Sequence, residues 1–314
     1  MRAALSLSIA LCTLSVAGGC AGRLRTDAPR TVSQLDAFVL AHPDDWQLFM
    51  GDVAANAIRG GGRTTFIYLT AGDAGRAASY WEAREQGALA SVAFGLGVAP
   101  PDVAGGAGQT RFPVTCVDVG FAGYPVRRCG LGAIASYFLR LPDGNLNGEG
   151  FRTTGDRSLM KLETGSVPSL ARVDGAGSLT AWNHGVEVVR AILRAEASAN
   201  GASGRRVRLH ASDPDTDFNP RDHADHRATG RLAASIATDD GFSLSQYAGY
   251  STSEWPSNLT AAQFAEKAGL FMSYDRARVL VNPEWSAYAE LPAGYSSWLS
   301  RTYVRPAGFT GRSR

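Results

Sequence analysis

Ala37-Phe38-Val39-Leu40-Ala41 is an uncharged run that leads straight into His42-Pro43-Asp44-Asp45. Such a run suits a strand covered on both faces, as in a parallel α/β sheet. Pro43 stops the ladder, because it has no backbone donor. Trp46, Phe49, Met50, Val53, Ala54, Ala57 and Ile58 then recur at helical spacing, which predicts one helix from near Asp45 until Gly60-Gly61-Gly62 ends it. The alternation continues along the chain. Strands are predicted at Thr64 to Leu69, Pro113 to Val119, Val207 to His210 and Leu244 to Tyr250. Helical stripes run through Glu85, Ala88, Leu89, Val92 and Leu96, through Val186, Val189, Ile192 and Leu193, through Ala228, Leu232 and Ile236, and from Thr260 to Phe271. Ala99 to Arg111 is rich in proline and glycine and reads as a loop. From Gly120 to Ser178 the pattern is irregular apart from a short helix at Leu131 to Leu139, and a stretch of that kind is usually functional loop. Strands alternating with helices imply an α/β fold, a Rossmann-like three-layer sandwich with a mostly parallel sheet.

The strand-to-helix turn after Leu40 puts His42, Asp44 and Asp45 at the carboxyl edge of the sheet, where open α/β folds hold ligands. Imidazole and carboxylate together suit a borderline divalent metal such as zinc. An isolated His-x-x-Asp also fits a turn with solvated aspartates. A second cluster changes that balance. Asn219-Pro220-Arg221-Asp222-His223-Ala224-Asp225-His226 again follows a strand and precedes a helix, and it gathers two of the five histidines on one helix face.

Together these residues resemble the two signature motifs of the PIG-L (LmbE-like) zinc-dependent de-N-acetylases, which remove acetyl groups from N-acetylglucosamine-type conjugates. The resemblance extends in order through Leu69-Thr70-Ala71-Gly72-Asp73-Ala74-Gly75, the helix near Arg84-Glu85 and Arg140-Leu141-Pro142-Asp143-Gly144, spanning roughly residues 35 to 275. Trp46 stands where the first motif usually has Glu, and Ala224 where the second usually has Pro. The resemblance implies that His42, Asp45 and His226 bind one divalent ion, zinc or Fe(II), with Asp44 as general base and His223 as acid or carbonyl polariser. It also implies an N-acetylated sugar or glycoconjugate as substrate, contacted by Arg84 and Asp143, although Arg84 also reads as an ordinary solvated charge and Asp143-Gly144 as a turn. Asp73 reads either as a ligand to a sugar hydroxyl or as a turn aspartate. A different metal-dependent amidase or ester hydrolase, or a glycan-binding lipoprotein without activity, are the rival expectations.

The chain opens with Arg2 and an apolar stretch from Leu5 to Ala17, the pattern of a signal peptide rather than of a membrane span. Val16-Ala17-Gly18-Gly19-Cys20 resembles a bacterial lipoprotein cleavage site with acylation at Cys20, so a membrane association is expected only through such an anchor. The expected organisation is therefore a signal segment over residues 1 to 20, a linker over 21 to 34, and one domain over 35 to 314 that ends in an aromatic-rich segment. That segment reads as packing against the core. With the signal segment removed, two thiols, Cys116 and Cys129, remain, and in an exported protein they are expected to pair. A formal net charge of +2 supplies no basic surface for nucleic acid. No Gly-x-Gly-x-x-Gly follows the first strand, so no dinucleotide cofactor is indicated. His184 reads as a surface or capping residue and His210 as a packing histidine.

Overall fold

The computed structural model describes residues 34–98, 114–286 and 295–306. The predicted signal segment with Cys20 and the loop from Ala99 to Arg111 lie outside the described residues. Strand β1 (Leu35–Leu40) lies inside the sheet, hydrogen-bonded in parallel to β2 (Arg63–Thr70) on one side and to β8 (Val207–Ser212) on the other. All six of its residues are buried, the apolar ones as a strand covered on both faces requires and Asp36 with charged partners described below. Between β1 and β2 run α1 (Asp45–Phe49) and α2 (Gly51–Arg59), and α3 (Ala78–Gly95) follows β2. Next come β3 (Thr115–Phe121), β4 (Tyr124–Leu131) and β5 (Ile134–Leu141), then α4 (Leu159–Glu163), the small pair β6 (Leu170–Ala171) and β7 (Ser178–Leu179), and α5 (Trp182–Ala199). After β8 come α6 (Ala224–Asp240), β9 (Ser243–Tyr247), α7 (Ala261–Val281) and α8 (Tyr295–Leu299). The seven-stranded order is β3-β4-β5-β2-β1-β8-β9, parallel from β5 to β9 and antiparallel at the β3-β4-β5 edge.

Side-chain alternation along the strands builds two cores. Leu35, Ala37 and Val39 face a layer made by α5 and α6, whereas Phe38 and Leu40 face α1, α2, α3 and α7. The fold is thus a Rossmann-like three-layer sandwich. Among the described residues no helix is long and apolar enough to cross a membrane. Cys116 and Cys129 are directly opposed across β3 and β4 and joined by a disulfide.

Several elements differ from the pattern-based reading. The helix expected at Leu131 to Leu139 is strand β5, and the stretch from Gly120 begins with a regular hairpin rather than with loop. Residues of β5 are buried on both faces, so their apolar run carries no two-residue period to set against a helical one. The single helix expected after Asp45 is two, divided at Met50, whose φ of −137° leaves the helical region. Gly51 at this break lies against the stem of Lys267, and a Cβ there would stand 2.6 Å from its Cγ. Strand β9 ends at Tyr247, before the expected Tyr250, because the backbone turns at Gly249 to bring the Tyr250 N–H within 3.1 Å of Asp222. Helix α7 runs ten residues beyond Phe271, from a capping box at Thr260 and Gln263 to Val281.

His210 lies in β8, away from the strand ends, stacked on Phe38 and bonded to Tyr247 and Asp36. Arg208 closes a bidentate pair on the same carboxylate, at 2.7 and 2.6 Å. Burial alone would raise the Asp36 pKa, but His210 and Arg208 hold it below the usual carboxylate value. The resulting stability is present above about pH 4, where an unfolded aspartate ionises, and is lost as pH falls through the lower folded value. Asp36→Asn removes the carboxylate that His210 and Arg208 share and, because Arg208 is half-exposed and screened by water, should cost about 1–2 kcal/mol at pH 7. Denaturant unfolding at pH 7 and pH 3 checks this, with the difference between wild type and variant shrinking at the lower pH.

Candidate active site

Two loops leave the carboxyl edge of β1 and β8 side by side, at the point where the chain order reverses between the β2 and β8 sides of the sheet. The first is fixed by Thr70, whose N–H and hydroxyl both donate to the Ala41 carbonyl, at 2.9 and 2.8 Å. His42 follows, and its backbone N–H donates to Asp45 Oδ2 at 2.7 Å, which turns Oδ1 of the same carboxylate inward. The second loop ends at His223, the N-cap of α6, with His226 in the first turn of that helix.

Three donor atoms converge here. His226 Nε2 lies 3.0 Å from Asp45 Oδ1, His42 Nδ1 lies 3.2 Å from His226 Nε2, and His42 Nδ1 lies 3.3 Å from Asp45 Oδ1. Ligands about 2.0–2.1 Å from a tetrahedral ion stand about 3.3 Å apart, so this triangle has the dimensions of one face of such a site. Its chemistry agrees. Burial opposes charging either imidazole, yet Asp45 and Asp225 hold the His42 pKa well above its ordinary value, and Asp222 and Asp45 push His226 up to about 10. Burial would likewise raise Asp45, which His226 and His42 keep well below the usual carboxylate range. The cluster demands positive charge at its centre, and a divalent ion fits it. A second set, His42, Asp143, His223 and Asp225, also brings donor atoms within 4.8 Å of one another, sharing His42 through its other nitrogen.

Each histidine of the triangle has a carboxylate behind it. His226 Nδ1 donates to Asp222 Oδ1 at 2.8 Å, which leaves Nε2 with its lone pair for the centre. Asp222 is itself held by Asn219 Nδ2 at 2.7 Å and by the Tyr250 N–H. Asp225, fully buried, accepts the Gly144 N–H at 2.7 Å and sits 3.5 Å from His42 Nε2. Asp222 and Asp225 escape a reading of the sequence, because loop aspartates look solvated there. The available signal for Asp222 was its place one helical turn before His226.

Asp44 lines the pocket and is clamped by Arg84, whose Nη2 donates to Oδ1. The guanidinium is pinned in turn by the Gly72 carbonyl at 2.7 Å and the Tyr274 hydroxyl at 2.9 Å. Position 72 has φ +58°, and a Cβ would stand 2.7 Å from Arg84 Cζ, so only glycine admits this clamp. His223 Nδ1 accepts the Asp225 N–H at 3.1 Å, which puts the hydrogen of the neutral ring on Nε2, 3.7 Å from Asp143 Oδ1. Burial, with His42 and His226, pushes the His223 pKa down to about 3. Asp143 lines the pocket too. Asp73 does not reach it: its two oxygens accept the backbone N–H groups of Asp143 and Gly75, at 2.8 and 3.0 Å, so it shapes the loop that carries Asp143. Trp46 is fully buried and donates to the Tyr68 hydroxyl, and the Ala224 N–H donates to the Leu146 carbonyl. Two tyrosines that the sequence leaves unassigned, Tyr250 and Tyr295, complete the lining.

Residues 37–99 match a family described as PIG-L: GlcNAc-PI de-N-acetylase. No curated protein matches the chain. Among solved structures it is similar to a deacetylase of the teicoplanin biosynthesis pathway, at 16% identity and a TM-score of 0.42 over 83% of this chain and 94% of that one. It is also similar to the N,N'-diacetylchitobiose deacetylase from Pyrococcus horikoshii, at 14% identity and 0.37 over 82% and 74%. A conserved protein from Thermus thermophilus gives 17% identity and 0.39 over 87% and 92%.

The carboxylates behind the ligands yield a test that needs no substrate. If the triangle holds a divalent ion, Asp222→Asn should weaken retention of added zinc by about 10- to 100-fold in competition with a chromophoric chelator. Asp73→Asn, which alters only the loop, should leave retention unchanged.

Proposed function

Residues 37–99 carry the PIG-L pattern, and from that premise we propose that the chain is a metal-dependent hydrolase that removes the N-acetyl group from an N-acetylglucosamine-type sugar or glycoconjugate. The observation that carries this reading is the triangle of His42 Nδ1, Asp45 Oδ1 and His226 Nε2, with Asp44 and His223 lining the same pocket. A divalent ion held by those three residues, zinc or Fe(II), supplies Lewis-acid activation of water and of an amide carbonyl.

The remaining steps belong to side chains. Asp44 is oriented by its ion pair with Arg84, and it takes a proton from the attacking water as general base. His223 enters neutral and donates its Nε2–H to the carbonyl oxygen as negative charge develops there. It is thus the polariser of the two roles that the family resemblance implies, because an imidazole held this far below its ordinary pKa carries no extra proton to give. The proton for the leaving nitrogen then comes from Asp44, which took it from water, so the C–N bond breaks to acetate and a free amine. Asp143, 3.7 Å from His223 Nε2 and in the pocket lining, would accept a hydrogen bond from the sugar beside the scissile amide. The charged and then apolar start of the chain, with Val16-Ala17-Gly18-Gly19-Cys20, supports export and an acylated Cys20, and hence an envelope or extracellular glycan.

Acetate release from a panel of N-acetylated sugars tests the reading. Zinc-loaded protein should release acetate, chelated protein should not, and Asp44→Asn should lose about 10²- to 10⁴-fold in kcat/KM. A protein that binds zinc stoichiometrically yet releases nothing from any sugar would point to an amidase or esterase with another substrate.

A further inference from the structure

Helix α7 carries a lysine whose side chain is fully buried and is not among the pocket-lining residues. Lys267 Nζ donates to the Trp298 carbonyl at 3.0 Å, to Thr302 Oγ1 at 3.2 Å and to the Arg301 carbonyl. Thr302 passes the contact on to Asp52 Oδ1 at 2.7 Å. A buried ammonium is costly, and an apolar side chain would fill the same space more cheaply. What the lysine supplies instead is position, because all three acceptors lie within one short stretch of the C-terminal arm. The arm is held at its far end as well. Arg305 pairs with Asp213 at 2.8 Å, and the backbone bonds Ala248 N–H to Tyr303 and Arg305 N–H to Gln246 lay it along the edge of β9.

At its near end this arm reaches the pocket. Tyr295 lies among the pocket-lining residues, stacked on Phe271 with ring centroids 5.6 Å apart and an interplanar angle of 22°. Trp298 meets Tyr295 edge to face at 5.4 Å and stacks on Tyr250 at 4.9 Å, with its indole N–H on the Tyr250 carbonyl. Most of the other lining groups are carboxylates, imidazoles and one guanidinium. Among the described residues, the apolar surface in the lining comes from Leu48, Tyr250 and Tyr295. A pyranose presents polar edges and a C–H face, and an aromatic side chain can offer the second of these an apolar contact.

We propose that the arm from Tyr295 to Arg305 is the specificity wall of the pocket, with Tyr295 as the ring against which the sugar of an N-acylated ligand packs and Lys267 as the positioning residue that holds it there. The assignment rests on the amino-sugar reading above and sharpens it, since an acyclic N-acetyl amide gains nothing from that ring.

Binding separates the wall from the chemistry. In zinc-loaded protein carrying Asp44→Asn, the dissociation constants of N-acetylglucosamine and of N-acetylethanolamine are measured by calorimetry. Adding Tyr295→Ala, or Lys267→Met, should raise the first by about tenfold and leave the second, and the zinc stoichiometry, unchanged. In the active enzyme the same two substitutions should raise KM for the sugar with kcat within about twofold of wild type. Unchanged sugar affinity in Tyr295→Ala, or an equal loss for both ligands, overturns the wall. Should Lys267→Met fail to fold, Thr302→Val removes one of the lysine's acceptors and the link to Asp52. An unchanged dissociation constant there overturns the role of Lys267. Parent protein that binds the sugar but releases no acetate defeats the hydrolase reading alone, whereas parent protein that binds no N-acetylated pyranose defeats the wall.

Discussion

The structure depends on a concentration of buried negative charge at the carboxyl edge of β1 and β8. Asp45, Asp143, Asp222 and Asp225 are all nearly or fully buried around His42 and His226, and the Arg84 guanidinium is spent on Asp44. Carboxylates desolvated to this degree are tolerable only with positive charge among them. Protons on the two imidazoles meet that need in part, and a divalent ion at the centre of the triangle would meet it in full. The requirement explains features that otherwise look unrelated. Gly144 and Gly249 give up their side chains so that Asp225 and Asp222 can lie against backbone, for a Cβ would stand 2.4 and 2.5 Å from their respective Oδ1 atoms. The Asn219 amide and the Tyr250 N–H satisfy the oxygens of Asp222, so that its charge is directed at His226.

Two consequences for the chemistry follow from the same field. Burial and the charged His42 and His226 imidazoles keep a proton from His223, whose Nδ1 is already occupied by the helix backbone. In the proposed reaction a histidine in that position would act through a fixed N–H, with no reorganisation as the oxyanion forms. Asp44 stands apart from this network because Arg84 holds one of its oxygens, and the clamp sets a cation against it among the other carboxylates while leaving its second oxygen for water. The proposed division of labour between a base that moves a proton and a donor that does not would therefore be a property of the surroundings, not of the residue types.

How much of this could be read in the sequence depended on whether the relevant signal was local. The uncharged run Ala37 to Ala41 followed by His42-Pro43-Asp44-Asp45 is a strand, a stop and a helix start within nine residues, and the layered fold follows from repeats of that unit. Strands β4 and β5 were not legible, because β5 is buried on both faces and its pairing partner β2 lies about seventy residues earlier in the chain. The His42, Asp45 and His226 set stands out because histidine is scarce in this chain, with five in all. The carboxylates behind it do not stand out, since an aspartate in a loop is indistinguishable from its solvated counterparts until the fold shows that no water reaches it. Asp73 illustrates the opposite case. It sits among glycines as a ligand-facing residue would, yet both of its oxygens are taken by backbone amides.

The aromatic C-terminal segment is the case in which packing and function are not alternatives. Trp298 stacks on Tyr250 and contacts Phe49, so most of its surface contributes to the core behind the triangle. The same stacking fixes the direction in which α8 leaves the core, and one turn earlier that direction sets Tyr295 at the pocket. A segment that had only to cover the core could do so with aliphatic side chains in many registers. Three acceptors gathered on one buried ammonium, and an ion pair to Asp213 at the far end, tie the segment at both ends, and a shift in register would break them. Polar groups in a core add little net stability but exclude alternatives strongly, and that trade makes sense where the residue being placed faces a ligand.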